Sequence, residues 1–263
     1  MSHSLFRRVT DRLHRSPRLR RFAKRWAQHL VLTQPFHGGR IAFNAVTHSW
    51  AWTGGRSYET FDRHIQDRLL ELAATRPRFL DVGANVGVMT LSLLLRNPQV
   101  TAVAVEPGAE AADLLRRSIR RNRLGDRVEV APVAASVAET TLRYDGTGSV
   151  MGHVSAGGTA VAARPLRDLV RAAARGGPDP LLIKIDIEGF ETELLPALLA
   201  LALPAGSAAV IELHPQGFNG MGDPAGNLAR IRAVSGIRLQ RLGGSEIGQP
   251  DVRDFTQVEI HWV

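Results

Sequence analysis

After residue 77 the chain alternates between short apolar runs, which predict buried strands, and longer stretches of helical periodicity, which predict amphipathic helices. The predicted strands cover residues 78–82, 99–105, 128–134, 181–186, 208–213, 237–242 and 258–263, with short strands in 140–163, and the helices cover 87–96, 109–122, 165–175 and 227–234. Strands that are apolar almost throughout are typical of a parallel sheet covered on both faces. The pattern therefore predicts an α/β fold with a doubly wound, mostly parallel sheet.

The residues before this alternation contain two apolar stripes, each backed by arginines, which predict two short basic amphipathic helices. The stripes consist of Leu5, Phe6, Val9 and Leu13, and of Leu19, Phe22, Trp26 and Leu30. Glycine pairs and tryptophans in residues 38–56 predict a hairpin, and residues 60–74 a helix. We therefore expect a basic extension over 1–36 and one domain over 37–263, in which the hairpin and helix of 37–76 precede an α/β core over 77–263.

The positive charge of the chain is concentrated near its start. The net charge is +8, but the first 40 residues alone carry +9, from ten basic side chains and one acid, and the other 223 residues carry −1. A basic segment of this kind attracts nucleic acid or an anionic surface, whereas the body gives no such indication. The lack of cysteine excludes disulfides, thiolate catalysis and cysteine-bound metals. Lysine occurs only at positions 24 and 184, so a mechanism that needs two lysines in the body is excluded.

A loop of small residues joins the first predicted core strand to its helix. It reads Asp81-Val-Gly83-Ala-Asn85-Val-Gly87, which is neither the G-x-G-x-x-G dinucleotide fingerprint nor a P-loop. Small residues let a ligand approach the backbone, and the following helix offers free N–H groups. Glu106 ends the next predicted strand, where a carboxylate can accept hydrogen bonds from both hydroxyls of a ribose. The loop indicates a nucleotide-like ligand carrying an amino group, and a tight turn beside a surface glutamate is the alternative.

With later motifs, this loop resembles a known family. FLDVGANVG at 79–87, VEP at 105–107, LLIKIDIEGFE at 181–191 and IELHP at 211–215 are similar, in order and spacing, to the FkbM family of S-adenosylmethionine-dependent methyltransferases. The similarity covers about residues 58–263. It implies the class I methyltransferase (Rossmann-like) fold, a mostly parallel seven-stranded sheet in the order 3-2-1-4-5-7-6 with an antiparallel last strand.

The resemblance also implies where the cofactor S-adenosylmethionine binds. The expected cofactor-binding residues are Asp81, Gly83, Ala84, Asn85, Gly87, Glu106, Pro107, Ala135 and Ser136. In this scheme the loop residues hold the methionine part, Glu106 holds the ribose, and Ala135 and Ser136 lie beside the adenine. Tyr58 belongs to a Tyr-Glu pair that the family often places near the cofactor. The chain departs from the family at Gly108-Ala109, where Asn-Pro is usual.

Charged side chains gather at the ends of the predicted strands 181–186 and 208–213. Ligands of such sheets bind at the carboxyl ends of the strands. The expected catalytic residues at this edge are Lys184, Asp186, Glu188, Glu212 and His214. An alcohol acceptor must lose a proton, and His214 has the pKa of a general base. Alternatively, Asp186, Glu188 and His214 hold a divalent cation, or these residues have structural roles, and the sequence does not decide between these alternatives.

Other candidate features carry less specific chemistry. The remaining eight histidines show no metal-ligand spacing, and we expect them to be structural or at the surface. The glycine-rich segment 145–158 and the hairpin with Trp50 and Trp52 could cover the substrate or act as plain linkers.

The leading hypothesis is an O-methyltransferase that acts on a hydroxyl of a small-molecule natural product, a sugar or a glycan. The alternative is an RNA-directed methyltransferase that uses the basic extension, although no nucleic-acid-specific motif accompanies it. Residues 1–36 could also contact a membrane surface or a partner, or pack on the body. No secretory signal or membrane span is predicted, so we expect a cytoplasmic protein, which the extension could hold at a membrane surface. The acceptor, the metal dependence and the oligomeric state stay open.

Overall fold

The computed structural model describes Ala27 and residues 29–53, 57–146, 152–215, 220–244 and 256–263. The first predicted amphipathic helix of the extension lies outside these residues. The second also lies outside them except for its last positions, of which Leu30 is half exposed. The strands are β1 (Val31–Phe36), β2 (Gly39–Asn44), β3 (Arg78–Val82), β4 (Thr101–Val105), β5 (Val128–Ala131), β6 (Ala134–Ser136), β7 (Thr140–Asp145), β8 (His153–Val154), β9 (Thr159–Pro165), β10 (Leu181–Ile185), β11 (Ala208–Leu213), β12 (Ile237–Arg241) and β13 (Thr256–Trp262). The helices are α1 (Trp50–Thr53), α2 (Arg63–Ala73), α3 (Val88–Arg96), α4 (Ala109–Arg121), α5 (Leu166–Ala174), α6 (Glu191–Leu199) and α7 (Pro224–Arg232).

The central sheet has seven strands in the order β5-β4-β3-β10-β11-β13-β12. Every neighbouring pair from β5 to β11 is parallel, and β13 runs antiparallel to both β11 and β12. This is the strand order 3-2-1-4-5-7-6 with an antiparallel last strand. The predicted class I methyltransferase fold is therefore confirmed.

Successive residues of each strand point to opposite faces of the sheet and enter two separate cores. On β3, Phe79 packs with α2, α3, α4 and the β1–β2 hairpin, whereas Leu80 packs with α5, α6 and α7. The same alternation places Leu182 of β10 on the first face and Ile183 on the second. Each strand is thus buried on both sides, which explains why the strands are apolar almost throughout their length.

The N-terminal hairpin lies earlier in the chain than predicted. Strand β1 pairs with β2 in antiparallel register across a two-residue turn, His37-Gly38, whose residues both have positive φ, as a type I′ hairpin turn requires. The prediction of a hairpin over 38–56 was wrong because Trp50 begins the short helix α1 instead of a strand. The predicted domain boundary after residue 36 falls at this turn, and Phe36 is fully buried in the core.

One predicted strand is divided in two. Residues 128–134 were expected to form a single strand, but β5 ends at Ala131 and β6 begins at Ala134. Pro132 lies between them and has no N–H to donate to a sheet. The chain therefore leaves the central sheet here, and β6 joins a small second sheet in the order β6-β9-β7-β8, which accounts for the short strands expected in 140–163.

Within the described residues, no helix has the length and apolar character needed to span a bilayer.

An ion pair with a buried carboxylate connects α2 to β13 of the central sheet. The carboxylate of Glu259 on β13 has no exposed surface and accepts hydrogen bonds from Arg68 Nε and Nη2 at 2.6 and 2.8 Å. Gly243 and Gln240 donate to the same carboxylate at 2.9 and 2.8 Å. Burial alone would raise the pKa of Glu259, but these donors, Arg68 above all, hold it well below its usual range.

We expect Glu259→Gln to lower the free energy of unfolding by about 3 kcal/mol at neutral pH, because Arg68 would lose its buried partner. Since the pKa of Glu259 is depressed in the folded state, its stabilisation is present above about pH 4.3 and is lost as the pH falls further. The difference between wild type and variant should therefore shrink in acid, and urea unfolding at a series of pH values measures it. The matched control is Glu71→Gln, since Glu71 contacts the same arginine at 2.8 Å but is 65% exposed. Its effect should stay below about 1 kcal/mol, and equal effects of the two substitutions would contradict the assignment.

Candidate active site

The loop between β3 and α3 owes its sequence to its backbone conformation. Gly83, Asn85 and Gly87 have φ of 82°, 51° and 92°, so every second residue is left-handed. Glycine adopts this conformation without strain, and asparagine is among the few other residues that tolerate it. Asn85 thus occupies a left-handed position that would otherwise call for glycine, which explains the D-x-G-x-N-x-G spacing.

Two glycines of the loop also allow close packing. A Cβ atom at Gly83 would overlap the backbone oxygen of Asp186, which follows β10. A Cβ atom at Gly87 would overlap the side chain of Leu115 on α4. The loop is therefore held against the carboxyl end of β10 on one side and against α4 on the other.

The carboxylate of Glu106 lies beside this loop at the end of β4 and is 4% exposed. Its Oε2 accepts a hydrogen bond from the backbone N–H of Asn85 at 2.8 Å. Its Oε1 accepts from the N–H of Gly108 at 2.7 Å and from the Tyr144 hydroxyl at 3.2 Å. Burial raises the pKa of Glu106, and the hydrogen bonds from Gly108 and Asn85 oppose that rise.

Strand register brings a buried lysine under the same loop. Lys184 on β10 is the direct partner of Asp81 on β3, and both side chains point to the face of the sheet that carries α3. Its Nζ lies 3.6 Å from Asp81 Oδ1 and 3.2 Å from Asp186 Oδ2, and it donates to the carbonyl of Gly83 at 3.3 Å. Burial would lower the pKa of Lys184, but the charges of Asp186 and Asp81 outweigh it and raise the pKa, so the group is an ammonium ion.

Four acidic side chains lie within 4 Å of the ring of His214, which follows β11 and is 2% exposed, and Glu191 and Glu188 are the nearest. Oε1 of Glu191 lies 3.0 Å from His214 Nδ1 and accepts from the backbone N–H of His214 at 2.6 Å. On the other side of the ring, His214 Nε2 lies 3.2 Å from Glu188 Oε2. Burial lowers the pKa of His214, but the bonds to Glu188 and Glu191 outweigh this and raise it to about 10. The imidazole is therefore protonated at neutral pH, which differs from the expectation that His214 has the pKa of a general base.

The surroundings of Glu212 favour its neutral form, whereas those of His214 favour its charged form. Burial and the charge of Asp186 raise its pKa to about 7, in spite of a hydrogen bond from Gln257 at 3.1 Å. Its side chain is 21% exposed, ten times as much as that of His214. The side chain of Asp186 is 31% exposed. The donor atoms of Asp186, Glu212 and His214 all lie within 4.8 Å of one another, a spacing that could hold a divalent cation, with Glu212 in the place that the sequence assigned to Glu188.

These groups open onto one cavity of about 340 Å³ at the carboxyl ends of the parallel strands. The loop after β3 and Glu106 form one side of the cavity, and the charged ends of β10 and β11 form another. A nucleotide-like ligand and an acceptor can thus meet in the same space.

Sequence comparison identifies the family. The model of the Methyltransferase FkbM domain matches residues 81–229, more than half of the chain. The chain belongs to the FkbM methyltransferase family. It is therefore an S-adenosylmethionine-dependent methyltransferase, as its motifs implied. No curated protein matches its sequence.

Solved structures that are similar to this FkbM-family protein have low sequence identity to it. Cofactor-bound Rv0187 from MTB is 17% identical, with 76% of this chain and 80% of that chain covered and a TM-score of 0.46. The O-methyltransferase from Bacillus cereus, in complex with SAH, is 16% identical, with 82% and 87% covered and a TM-score of 0.48.

The cavity of this family member contains most of the residues expected from the sequence. Those that line it are Gly83, Ala84, Asn85, Glu106, Pro107, Ala135, Lys184, Asp186, Glu188, Glu212 and His214. Asp81, Gly87 and Ser136 do not. Asp81 is fully buried and accepts from Thr90 Oγ1 at 2.6 Å, Gly87 packs on Leu115, and the Ser136 hydroxyl donates to the carbonyl of Ala138. These three residues therefore have packing or hydrogen-bonding roles next to the cavity.

One wall of the cavity was largely missed by sequence reasoning. Trp50 packs edge-on against Tyr58 with ring centroids 4.8 Å apart and stacks on Phe61 at 5.3 Å, and His48 and Asp62 line the same wall. Burial lowers the pKa of His48 to about 4, so its imidazole is neutral. The tryptophan was a visible signal, but His48 and Asp62 show no spacing that distinguishes them. Only the tertiary structure brings these residues to the site.

Glycine at position 83 is predicted to be essential for the loop. Gly83→Ala should lower the free energy of unfolding by about 2 kcal/mol or more, because alanine strains a left-handed backbone and its Cβ would overlap the Asp186 carbonyl. The control is Gly125→Ala, where a Cβ meets no atom within 4 Å and no positive φ is required. That change should stay within about 0.5 kcal/mol in the same urea titration. Similar losses in both variants would show that the close approach at Gly83 does not matter.

Proposed function

We propose that this protein transfers the methyl group of S-adenosylmethionine to a hydroxyl of a small acceptor, a natural product or a sugar or glycan. The observation that carries the proposal is that Glu212, with a pKa of about 7, opens onto the same cavity as the nucleotide-like loop and Glu106. A carboxylate that titrates near the operating pH is well suited to remove the proton of an alcohol.

The residues of the cavity fit the cofactor. Glu106 offers a carboxylate for ribose hydroxyls, and Ala135 and Pro107 offer apolar surface for an adenine. The loop at Gly83 gives the backbone access that a methionine moiety needs, and the neighbouring carboxylates of Asp186 and Glu212 would stabilise a sulfonium charge. When bound, the cofactor supplies an electrophilic methyl group.

Each charged residue at the strand ends has a role that its surroundings select. Glu212 is partly exposed and accepts the proton of the acceptor hydroxyl. His214, buried and positively charged, holds Glu188 with Nε2 and is itself held by Glu191. Lys184 anchors Asp186 at 3.2 Å. The reaction is an in-line displacement, so this positioning of the acceptor contributes much of the rate.

We favour a reaction without a metal. Lys184 and protonated His214 already place two positive charges among the acids. Without these charges the acids would attract a metal cation. A metal ion at Asp186, Glu212 and His214 would have to compete with both.

The surface of the cavity favours a small acceptor over RNA. Its lining contains the acids Asp62, Asp186, Glu188 and Glu212, which would repel a phosphate backbone. The aromatic rings of Trp50, Tyr58 and Phe61 in the same lining offer apolar contact to a ring-shaped molecule. The role of the basic residues 1–36 in binding a membrane or a partner stays a prediction.

Cofactor binding is tested by calorimetry with S-adenosylhomocysteine. The wild type should bind, and Glu106→Ala should weaken binding at least about tenfold, because a buried carboxylate that accepts ribose hydroxyls is lost. The control is Glu129→Ala, which removes an exposed acid from β5 and should leave the Kd unchanged. Absence of binding by the wild type would refute the proposed function, and equal effects of the two substitutions would refute the role of Glu106.

The reaction is tested with a panel of hydroxylated small molecules, by following S-adenosylhomocysteine formation. For an acceptor that reacts, kcat/KM should rise with pH through about 7, since Glu212 must be ionised to take the proton. Glu212→Gln should lower kcat about 10²-fold or more and abolish this dependence. EDTA should leave the wild-type rate unchanged. A pH profile unaltered in the variant would exclude Glu212 as the base, and an EDTA loss restored by Mg²⁺ would exclude the metal-free route.

A further inference from the structure

Tyr144 makes a contact that neither the motifs nor the proposed reaction explains. It lies on β7 of the small second sheet, and its hydroxyl donates to Oε1 of Glu106 at 3.2 Å. Tyr144 also lines the cavity. A residue of the second sheet therefore donates a hydrogen bond to Glu106, whose carboxylate binds the cofactor ribose in the proposed function.

The acceptor capacity of Glu106 is almost used up by its present partners. A carboxylate has about four lone-pair sites, and three of those of Glu106 are taken, by the N–H groups of Asn85 and Gly108 and by the Tyr144 hydroxyl. The two hydroxyls of a ribose need two sites. One existing hydrogen bond must therefore break when a ribose binds in this way.

The bond that breaks is identified by its length and its origin. The donors Asn85 and Gly108 are backbone groups, at 2.8 and 2.7 Å, fixed by the loop and by the start of α4. The Tyr144 hydroxyl is a side-chain donor at 3.2 Å. It is the weakest of the three and the only one that can leave without a change in the backbone.

Glycines around the ring allow Tyr144 to reach Glu106. A Cβ atom at Gly108 would lie 3.3 Å from the Tyr144 hydroxyl, and one at Gly146 would lie 2.7 Å from its ring. A Cβ atom at Gly152 would overlap the hydroxyl itself. Three glycines thus leave the space that the Tyr144 ring occupies. The sequence around the ring therefore accommodates its contact with Glu106.

We propose that Tyr144 and the cofactor ribose compete for Glu106, so that binding of the cofactor displaces the Tyr144 hydroxyl. This inference rests on the proposed function and adds a specificity-determining residue to it. The tyrosine keeps the buried carboxylate hydrogen-bonded until a ligand supplies a hydroxyl donor at the same position. A ligand without that donor would leave Glu106 with a lost bond, which disfavours its binding.

The first test is the affinity for S-adenosylhomocysteine, measured by calorimetry. Tyr144→Phe keeps the ring between the glycines but removes the competing hydroxyl, so it should bind at least threefold more tightly than the wild type. The matched control is Thr141→Val, which removes an exposed hydroxyl from the opposite face of β7 and should not change the Kd. In a Glu106→Ala background, Tyr144→Phe should have no effect, because there is no carboxylate to compete for. Unchanged or weaker binding by Tyr144→Phe, or equal tightening in both backgrounds, would overturn the proposal.

A second measurement follows Tyr144 directly in the wild-type protein. Tyr58 and Tyr144 are the two tyrosines of the chain, so protein labelled with 3-fluorotyrosine should give two ¹⁹F signals. Addition of S-adenosylhomocysteine should shift the signal of Tyr144, assigned by its loss in Tyr144→Phe or, if that variant does not fold, by its loss in Tyr144→Leu. A signal that does not move while calorimetry shows binding would refute displacement and leave the proposed function intact. If neither the wild type nor Tyr144→Phe binds, the proposed function is wrong and this inference is refuted with it.

Discussion

The buried ammonium group of Lys184 is the interaction on which the site depends. It connects Asp81 of β3, Asp186 at the end of β10 and the carbonyl of Gly83 in the loop. Without the lysine these two carboxylates would repel each other, and the loss of a charged partner at a buried position costs several kcal/mol. The lysine therefore stabilises the junction of the two central strands and holds the loop and the acids in their mutual positions.

The strand register explains how one lysine can do this. Lys184 and Asp81 are direct partners in neighbouring parallel strands, so their side chains emerge side by side on the same face. The next residues on that face, Asp186 directly after β10 and Glu212 on β11, bring further acids to the strand ends. Because the opposite face is filled by apolar residues such as Ile183 and Ile211, the charged groups are confined to the side on which the cavity opens.

Surroundings, and not residue type, divide the roles at the strand ends. His214 is the side chain whose ordinary pKa is nearest to neutral, but its contacts with Glu188 and Glu191 raise that pKa to about 10. Glu212 is ordinarily a weak base at neutral pH, but burial and Asp186 raise its pKa to about 7. The two groups have in effect exchanged the protonation behaviour expected from their types, a result that neighbouring charges and desolvation commonly produce in active sites.

Much of the fold and of the cofactor site was predictable because local rules determine them. The apolar runs located the seven central strands to within a few residues, and the left-handed positions 83, 85 and 87 required the residues found in the loop. Prediction was wrong where a local signal was outweighed, as at Pro132, which ends β5 early, and at residues 38–56, whose tryptophans indicated a strand although Trp50 begins a helix. The sequence by itself determined the fold class, the family and the residues around the loop. Only the tertiary structure decided which acid has a pKa near neutrality, because pKa values depend on burial and on neighbouring charges. It also decided which aromatic residues line the cavity and that Tyr144 donates a hydrogen bond to Glu106, because those contacts join segments far apart in the chain.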